Sequence, residues 1–106
     1  MEAPSPRITS ALLTKYRGQI VRCVGRVLQT SNIVATLEAC DQGQVTVHLG
    51  PDTTTLKPLK YVEVVGRVSD DLTIKEHMTY QLSDNFDLEL YKSAVEKAQK
   101  YPDIFS

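Results

Sequence analysis

Apolar and polar positions alternate with a period of two along the middle of this chain, and take a helical spacing near 3.6 towards its two ends. Such a switch separates strands from a helix. The longest alternating stretch is 19–30, with Val21, Cys23, Gly25 and Val27 on one face and Ile20, Arg22, Val24, Arg26 and Leu28 on the other. A second strand is predicted over 33–39 and a third over 44–49, where Val45, Val47 and Leu49 alternate with Gln44, Thr46 and His48. Asp41-Gln42-Gly43 between them reads as a hairpin turn. A fourth strand is predicted over 61–69, with Val62, Val64, Gly66 and Val68 on one face, and a fifth over 72–82. Glu76 interrupts the apolar face of the fifth, which predicts a bulge or a strand end there.

Two of these strands share four residues, Val24-Gly25-Arg26-Val27 and Val65-Gly66-Arg67-Val68. Glycine inside a strand marks a bulge, a bend or a close backbone approach. Two strands bent in this way suit a small barrel whose long first strand curls and pairs on both sides. If they pair, Arg26 and Arg67 are predicted to come close, with Glu63 or a phosphate between them. The connection 50–60, with Pro51 and Pro58, shows no helical period.

Helices are predicted at both ends. Ile8, Leu12, Leu13 and Tyr16 share a face of a short helix over 7–16, capped by Thr9 or Ser10 and ended by Arg17-Gly18. From Asp87 onward, Leu88, Tyr91, Ala94, Val95, Ala98 and Tyr101 recur at three- and four-residue steps. Asp87 is the predicted N-cap, Phe86 can staple onto Tyr91, and Tyr101-Pro102 closes the helix.

Composition narrows the function. The 106 residues suit one domain, and no apolar run approaches the ~20 residues of a membrane span. The opening Met1-Glu2-Ala3-Pro4-Ser5-Pro6 lacks the basic and apolar regions of a signal peptide and reads as a disordered leader. The formal charge is −1, whereas dedicated nucleic-acid modules are usually basic. Cys23 and Cys40 form no metal-binding spacing and are predicted to be buried thiols in a reducing compartment rather than a disulfide. His48 and His77 also lack ligand spacing, and no nucleophile–base pair or phosphate loop is present. Enzymatic chemistry, a cofactor and a small-molecule substrate are therefore not predicted.

The residues Val24-Gly25-Arg26, Glu63-Val64-Val65-Gly66-Arg67-Val68 and Phe86-Asp87-Leu88-Glu89-Leu90-Tyr91, in this order, resemble the smallest subunit of replication protein A, the eukaryotic single-stranded-DNA-binding heterotrimer. The resemblance extends from about Pro6 to Pro102. It implies a mainly β fold, a five-stranded OB-fold barrel over 7–82 with a short N-terminal helix, then a C-terminal amphipathic helix over 83–102 and a tail over 103–106. It also implies a structural subunit that joins the middle and large subunits through a three-helix bundle, in the nucleus, in DNA replication, repair and recombination. The partner face is predicted to comprise Leu88, Tyr91, Ala94, Val95, Ala98 and Tyr101.

DNA contact by this chain itself is predicted to be weak. OB-folds that hold single strands combine a basic groove with stacking aromatics, and this chain has seven Phe and Tyr and no Trp. The candidates are Arg26, Lys57, Lys60, Tyr61, Arg67 and Tyr80; a simply solvated face is the competing reading of the basic ones. The alternative function is an autonomous OB-fold module that binds single-stranded nucleic acid directly.

Overall fold

In the computed structural model, residues 6–31, 33–51 and 58–100 are described. Six strands precede the helix: β1 (Arg7–Ile8), β2 (Ile20–Thr30), β3 (Val34–Ala39), β4 (Gln44–His48), β5 (Tyr61–Val68) and β6 (Ile74–Gln81), followed by α1 (Leu88–Lys100). β2 pairs antiparallel with β3 through its second half and with β5 through its first. β3 pairs with β4 and β5 with β6, both antiparallel, and a short parallel pairing of β4 with β6 closes the ring. This is the five-stranded closed barrel that the OB-fold resemblance implies, with β1 as a small addition at its edge.

The inward alternation is as predicted. Val21, Cys23, Val27, Ala35, Leu37, Ala39, Val45, Val47, Val62, Val64, Val68 and Ile74 form the barrel core. Gly25 and Gly66 are buried within it because neighbours come too close for a side chain. A Cβ on Gly25 would stand 2.7 Å from the Glu38 carbonyl oxygen, and one on Gly66 would overlap the Lys75 carbonyl oxygen and Ile74. The predicted bulge is present beside Gly66: Gly66 faces Glu76, Val65 faces Met78, and His77 is the extra residue. Glu76 is buried, and its carboxylate accepts hydrogen bonds from the Gly50 N–H at 2.9 Å and from the Thr79 hydroxyl.

Two predictions require correction. The N-terminal helix is a 3₁₀ helix, Ser10–Tyr16, and the residues before it are a strand. Arg7 and Ile8 pair parallel with Arg22 and Cys23, and Ile8 is fully buried, so the sheet outcompetes the helix at these positions. In a 3₁₀ helix side chains three apart eclipse, which stacks Leu13 and Tyr16 on the barrel side. The helix is not capped by its own Thr9 or Ser10 side chain. Instead Asp41, from the β3–β4 turn, accepts from the backbone N–H groups of Ser10 and Ala11 and from the Ser10 hydroxyl.

The second correction concerns the arginines. β2 and β5 do pair, but antiparallel, so Arg26 faces Tyr61 while Arg67 faces Ile20. Six residues of strand separate them, roughly 20 Å, and they do not share a site.

Candidate functional site

The first candidate surface is α1. Asp87 caps it as predicted, its carboxylate accepting from the Leu90 N–H at 3.1 Å. The Phe86 ring lies 6.0 Å from that of Tyr91 and 6.3 Å from that of Tyr61, which fixes the entry of the helix onto the barrel. At the other end Gln99 donates to the Tyr16 hydroxyl at 2.9 Å and accepts from Lys15 at 2.6 Å, so the last turn is tied to the 3₁₀ helix.

The predicted stripe divides in two. Tyr91 and Val95 are 9% and 2% exposed, and they form a second core with Val24 and Cys40 on the outer side of β2 and β3. Leu12, Leu82, Phe86 and Leu88 pack around it. These residues attach the helix to its own barrel. Ala94 is exposed, Ala98 is half-buried, and Leu90, which flanks the predicted stripe, is 69% exposed. On a helical wheel Leu90, Ala94 and Ala98 lie together on one flank of the buried line. Lys92 and Glu96 pair with each other on the opposite flank of the wheel. Tyr101 lies outside the described residues.

Burial of Tyr91 raises its pKa well above the usual phenol value, with smaller contributions from Cys23 and Glu63. Its hydroxyl is buried and has no hydrogen-bond partner among the described residues. The side chain is retained there as apolar bulk, since an unpartnered buried hydroxyl is a net loss.

The second candidate surface is the barrel face. OB-folds bind oligonucleotides across the outer face of their second and third barrel strands, between the loop joining the first two strands and the loop joining the last two. Here that face presents Val34, Thr36 and Glu38 of β3 and Gln44, Thr46 and His48 of β4. It holds no Phe, Tyr or Trp, and no Lys or Arg. The loop 69–73 adds Asp70 and Asp71. Hydrogen bonds from the Thr73 hydroxyl and N–H hold the Asp71 carboxyl below the usual carboxylate range, and His48 adds to the effect.

Of the described DNA candidates, Arg26 borders this face beside Glu38 and the others lie elsewhere; most are engaged. Arg26 pairs with Glu38 at 3.4 Å, and Lys60 with Asp84 at 3.0 Å. Tyr61 packs on Phe86. Arg67 donates to the Gly18 carbonyl at 3.5 Å. Tyr80 is exposed on β6, its hydroxyl against the Met78 sulfur. Lys57 lies outside the described residues. The described ones do not converge on one groove. Among the described residues no group of three His, Cys, Asp or Glu side chains could hold a metal ion, and no helix is long and apolar enough to cross a membrane.

Comparison with known proteins gives the family. The family model described as replication factor A protein 3 matches residues 1–105. Replication factor A protein 3 of Schizosaccharomyces pombe is 30% identical over 105 residues, covering 99% of this chain and 98% of that protein. A 14 kDa replication protein A subunit of Arabidopsis thaliana is 31% identical over 90 residues, covering 84% of this chain and 81% of that protein. A chain in the structure of U. maydis replication protein A bound to single-stranded DNA superimposes with a TM-score of 0.90 at 31% identity, covering 100% of this chain and 99% of that one. The chain therefore belongs to the replication factor A protein 3 family, the smallest subunit of replication protein A.

Proposed function

We propose that this chain is an assembly subunit of a nuclear single-stranded-DNA-binding complex, and that it joins the middle and large subunits through α1 while those subunits hold most of the DNA. The observation that supports the assembly role is Leu90, a large apolar side chain left 69% exposed on a helix whose other large apolar residues, Leu88, Tyr91 and Val95, pack on the barrel. With Ala94 and Ala98 it makes a narrow apolar flank, and small residues allow close helix approach. Leu88, Tyr91 and Val95 have the prior task of seating the helix on the barrel, so the partner face proposed from the structure is shifted towards Leu90, Ala94 and Ala98. The acidic, aromatic-free groove of β3 and β4 is the reason to assign this subunit little DNA contact and no catalysis.

Co-expression with the two larger subunits, followed by size-exclusion chromatography, tests the reading. Leu90→Asp should lose co-elution while the isolated chain keeps the strand-type circular dichroism and melting temperature of the wild type, because Leu90 stands outside both apolar cores. Retained co-elution would remove α1 from the interface. Tight binding of a single-stranded oligonucleotide by the isolated chain, well below the ~10⁻⁵ M of non-specific association, would favour the autonomous nucleic-acid module instead.

A further inference from the structure

The outer face of β5 and β6 has a composition that neither the assembly role nor the barrel core requires. Strand register defines three rows across it. Ile20, Arg67 and Lys75 lie side by side, then Arg22, Val65 and Met78, then Val24, Glu63 and Tyr80. Helix α1 covers the Val24 end of the last row. The remainder is open: Ile20, Met78 and Tyr80 are 38%, 53% and 49% exposed. The Tyr80 hydroxyl lies against the Met78 sulfur, and Val65 stands opposite Met78 on the side towards β2, so this apolar surface is more than the single exposed residues common on any surface.

The cations around them form no ion pair among the described residues. Arg67 and Lys75 stand directly opposite each other, an arrangement that repels. None of Arg22, Arg67 and Lys75 has an ion-pair partner among the described residues, and the Arg22 Nε is buried without a hydrogen bond. Three carboxylates on or near this face have partners of their own. Glu63 pairs with Arg7 at 3.8 Å, Glu76 is buried on Gly50 and Thr79, and Asp71 is held by Thr73. An occupant that supplies carboxylates would remove the repulsion, and one that also supplies apolar side chains would cover Ile20, Val65, Met78 and Tyr80.

We propose that this face docks an acidic amphipathic segment of another protein, its apolar side on Ile20, Val65, Met78 and Tyr80 and its carboxylates on Arg22, Arg67 and Lys75. Single-stranded DNA fits less well. It would use the same cations, but only Tyr80 offers a stacking surface, and three aliphatic or thioether side chains would be left against bases and sugars. Methionine, flexible and polarizable, suits a surface that must adapt to the partner's side chains, and a helix or extended segment with one apolar side is the usual occupant of such a surface.

The test uses the full-length chain and a fluorescein-labelled synthetic peptide with Asp and Glu along one side of a helix and Leu and Phe along the other. Fluorescence anisotropy should show saturable binding that weakens about tenfold in Arg67→Glu/Lys75→Glu and in Met78→Asp, and that falls with added salt. A sequence-scrambled peptide and one with Lys in place of the acids should not bind. Leu90→Asp should bind as the wild type does, which separates this face from the α1 interface. If the glutamate variant melts early, Arg67→Gln/Lys75→Gln removes the charge without reversing it and should still weaken binding. Equal binding by the scrambled peptide, or by both charge variants, overturns the proposal. So does displacement of the peptide by oligothymidylate at lower concentration, which would mark a nucleic-acid surface, or self-association abolished by Met78→Asp, which would make a second copy the occupant.

Discussion

The rings of Phe86 and Tyr91 lie 6.0 Å apart, tilted by 56°, and this contact turns the chain from β6 onto the outer side of β2. Phe86 also meets Tyr61 at the start of β5. One aromatic residue thus joins the barrel, the linker and α1, and the helix belongs to the fold of the chain as well as to its proposed assembly face.

Truncation of Tyr91 should therefore damage the chain before any partner is considered. Tyr91→Ala empties the second core and should cost about 3–5 kcal/mol, read as a lower melting temperature of the isolated chain. Tyr91→Phe should be neutral or stabilising, because it removes a buried hydroxyl that has no partner among the described residues. A large loss with Tyr91→Phe would show that the hydroxyl is hydrogen-bonded in solution.

Asp41 should make stability depend on acid pH. Burial alone would raise its pKa, but hydrogen bonds from Ser10, Ala11 and Gly43 outweigh this and lower it below 3.8. A depressed native pKa means that the unfolded chain takes up the proton more readily. The stabilisation is complete above the unfolded value near 3.8 and disappears as pH falls through the lower native value. Urea titrations should find Asp41→Asn less stable than the wild type by about 1 kcal/mol near neutral pH. The two should converge in strong acid.

Gly66→Val should destabilise by about 1–3 kcal/mol or more, because the added side chain would overlap the Lys75 carbonyl and Ile74 beside the bulge. Gly66→Ala should already show part of the loss in a thermal melt. Crowding is the cause there, whereas Gly18 has a φ of 78° with open space around it. Gly18→Ala therefore tests backbone conformation, and Gly66→Ala tests close approach.

The two cysteines should be inert to thiol reagents in the native chain. Burial, with nearby Cys40, Asp41 and Glu63, pushes the Cys23 thiol up to about 12; burial and Asp41 push Cys40 up to about 11. Cys23 points into the barrel core and Cys40 into the cluster beneath α1, on opposite sides of the sheet, which keeps them from pairing. Alkylation should proceed only as fast as the chain opens, with Cys40 modified before Cys23 in variants that loosen α1.

The strands were legible because alternation of apolar residues tracks burial on a two-layered surface, and the inward positions from Val21 to Val27 and from Val62 to Val68 follow it without exception. The helix was legible for the same reason at a different period. Less legible was which apolar residues of α1 face inward. Periodicity groups Leu88, Tyr91, Ala94, Val95 and Ala98 together, but only packing against Val24 and Cys40 separates Tyr91 and Val95 from Ala94. The Asp41 cap spans 31 residues of sequence and has no local signature. The antiparallel direction that parts Arg26 from Arg67 depends on the closure of the whole barrel, and a shared four-residue motif does not encode it.

The ring of strands is closed by only two residue pairs, Val47 with Ile74 and His48 with Lys75. Every other junction of the barrel is a longer antiparallel ladder. Backbone amides protected solely by this seam need only a small opening to exchange with deuterium, while those of β2, paired on both edges, need the barrel to come apart. Exchange should therefore start at those amides of 47–48 and 74–75 that bond across the seam, while amides of β6 that bond to β5 stay protected, and should reach Cys23 and Val24 last. The barrel then behaves as a clasped band whose fastening lies between β4 and β6, at the end of the aromatic-free groove and beside the proposed docking face. A ligand that bridges this seam would tighten the whole ring.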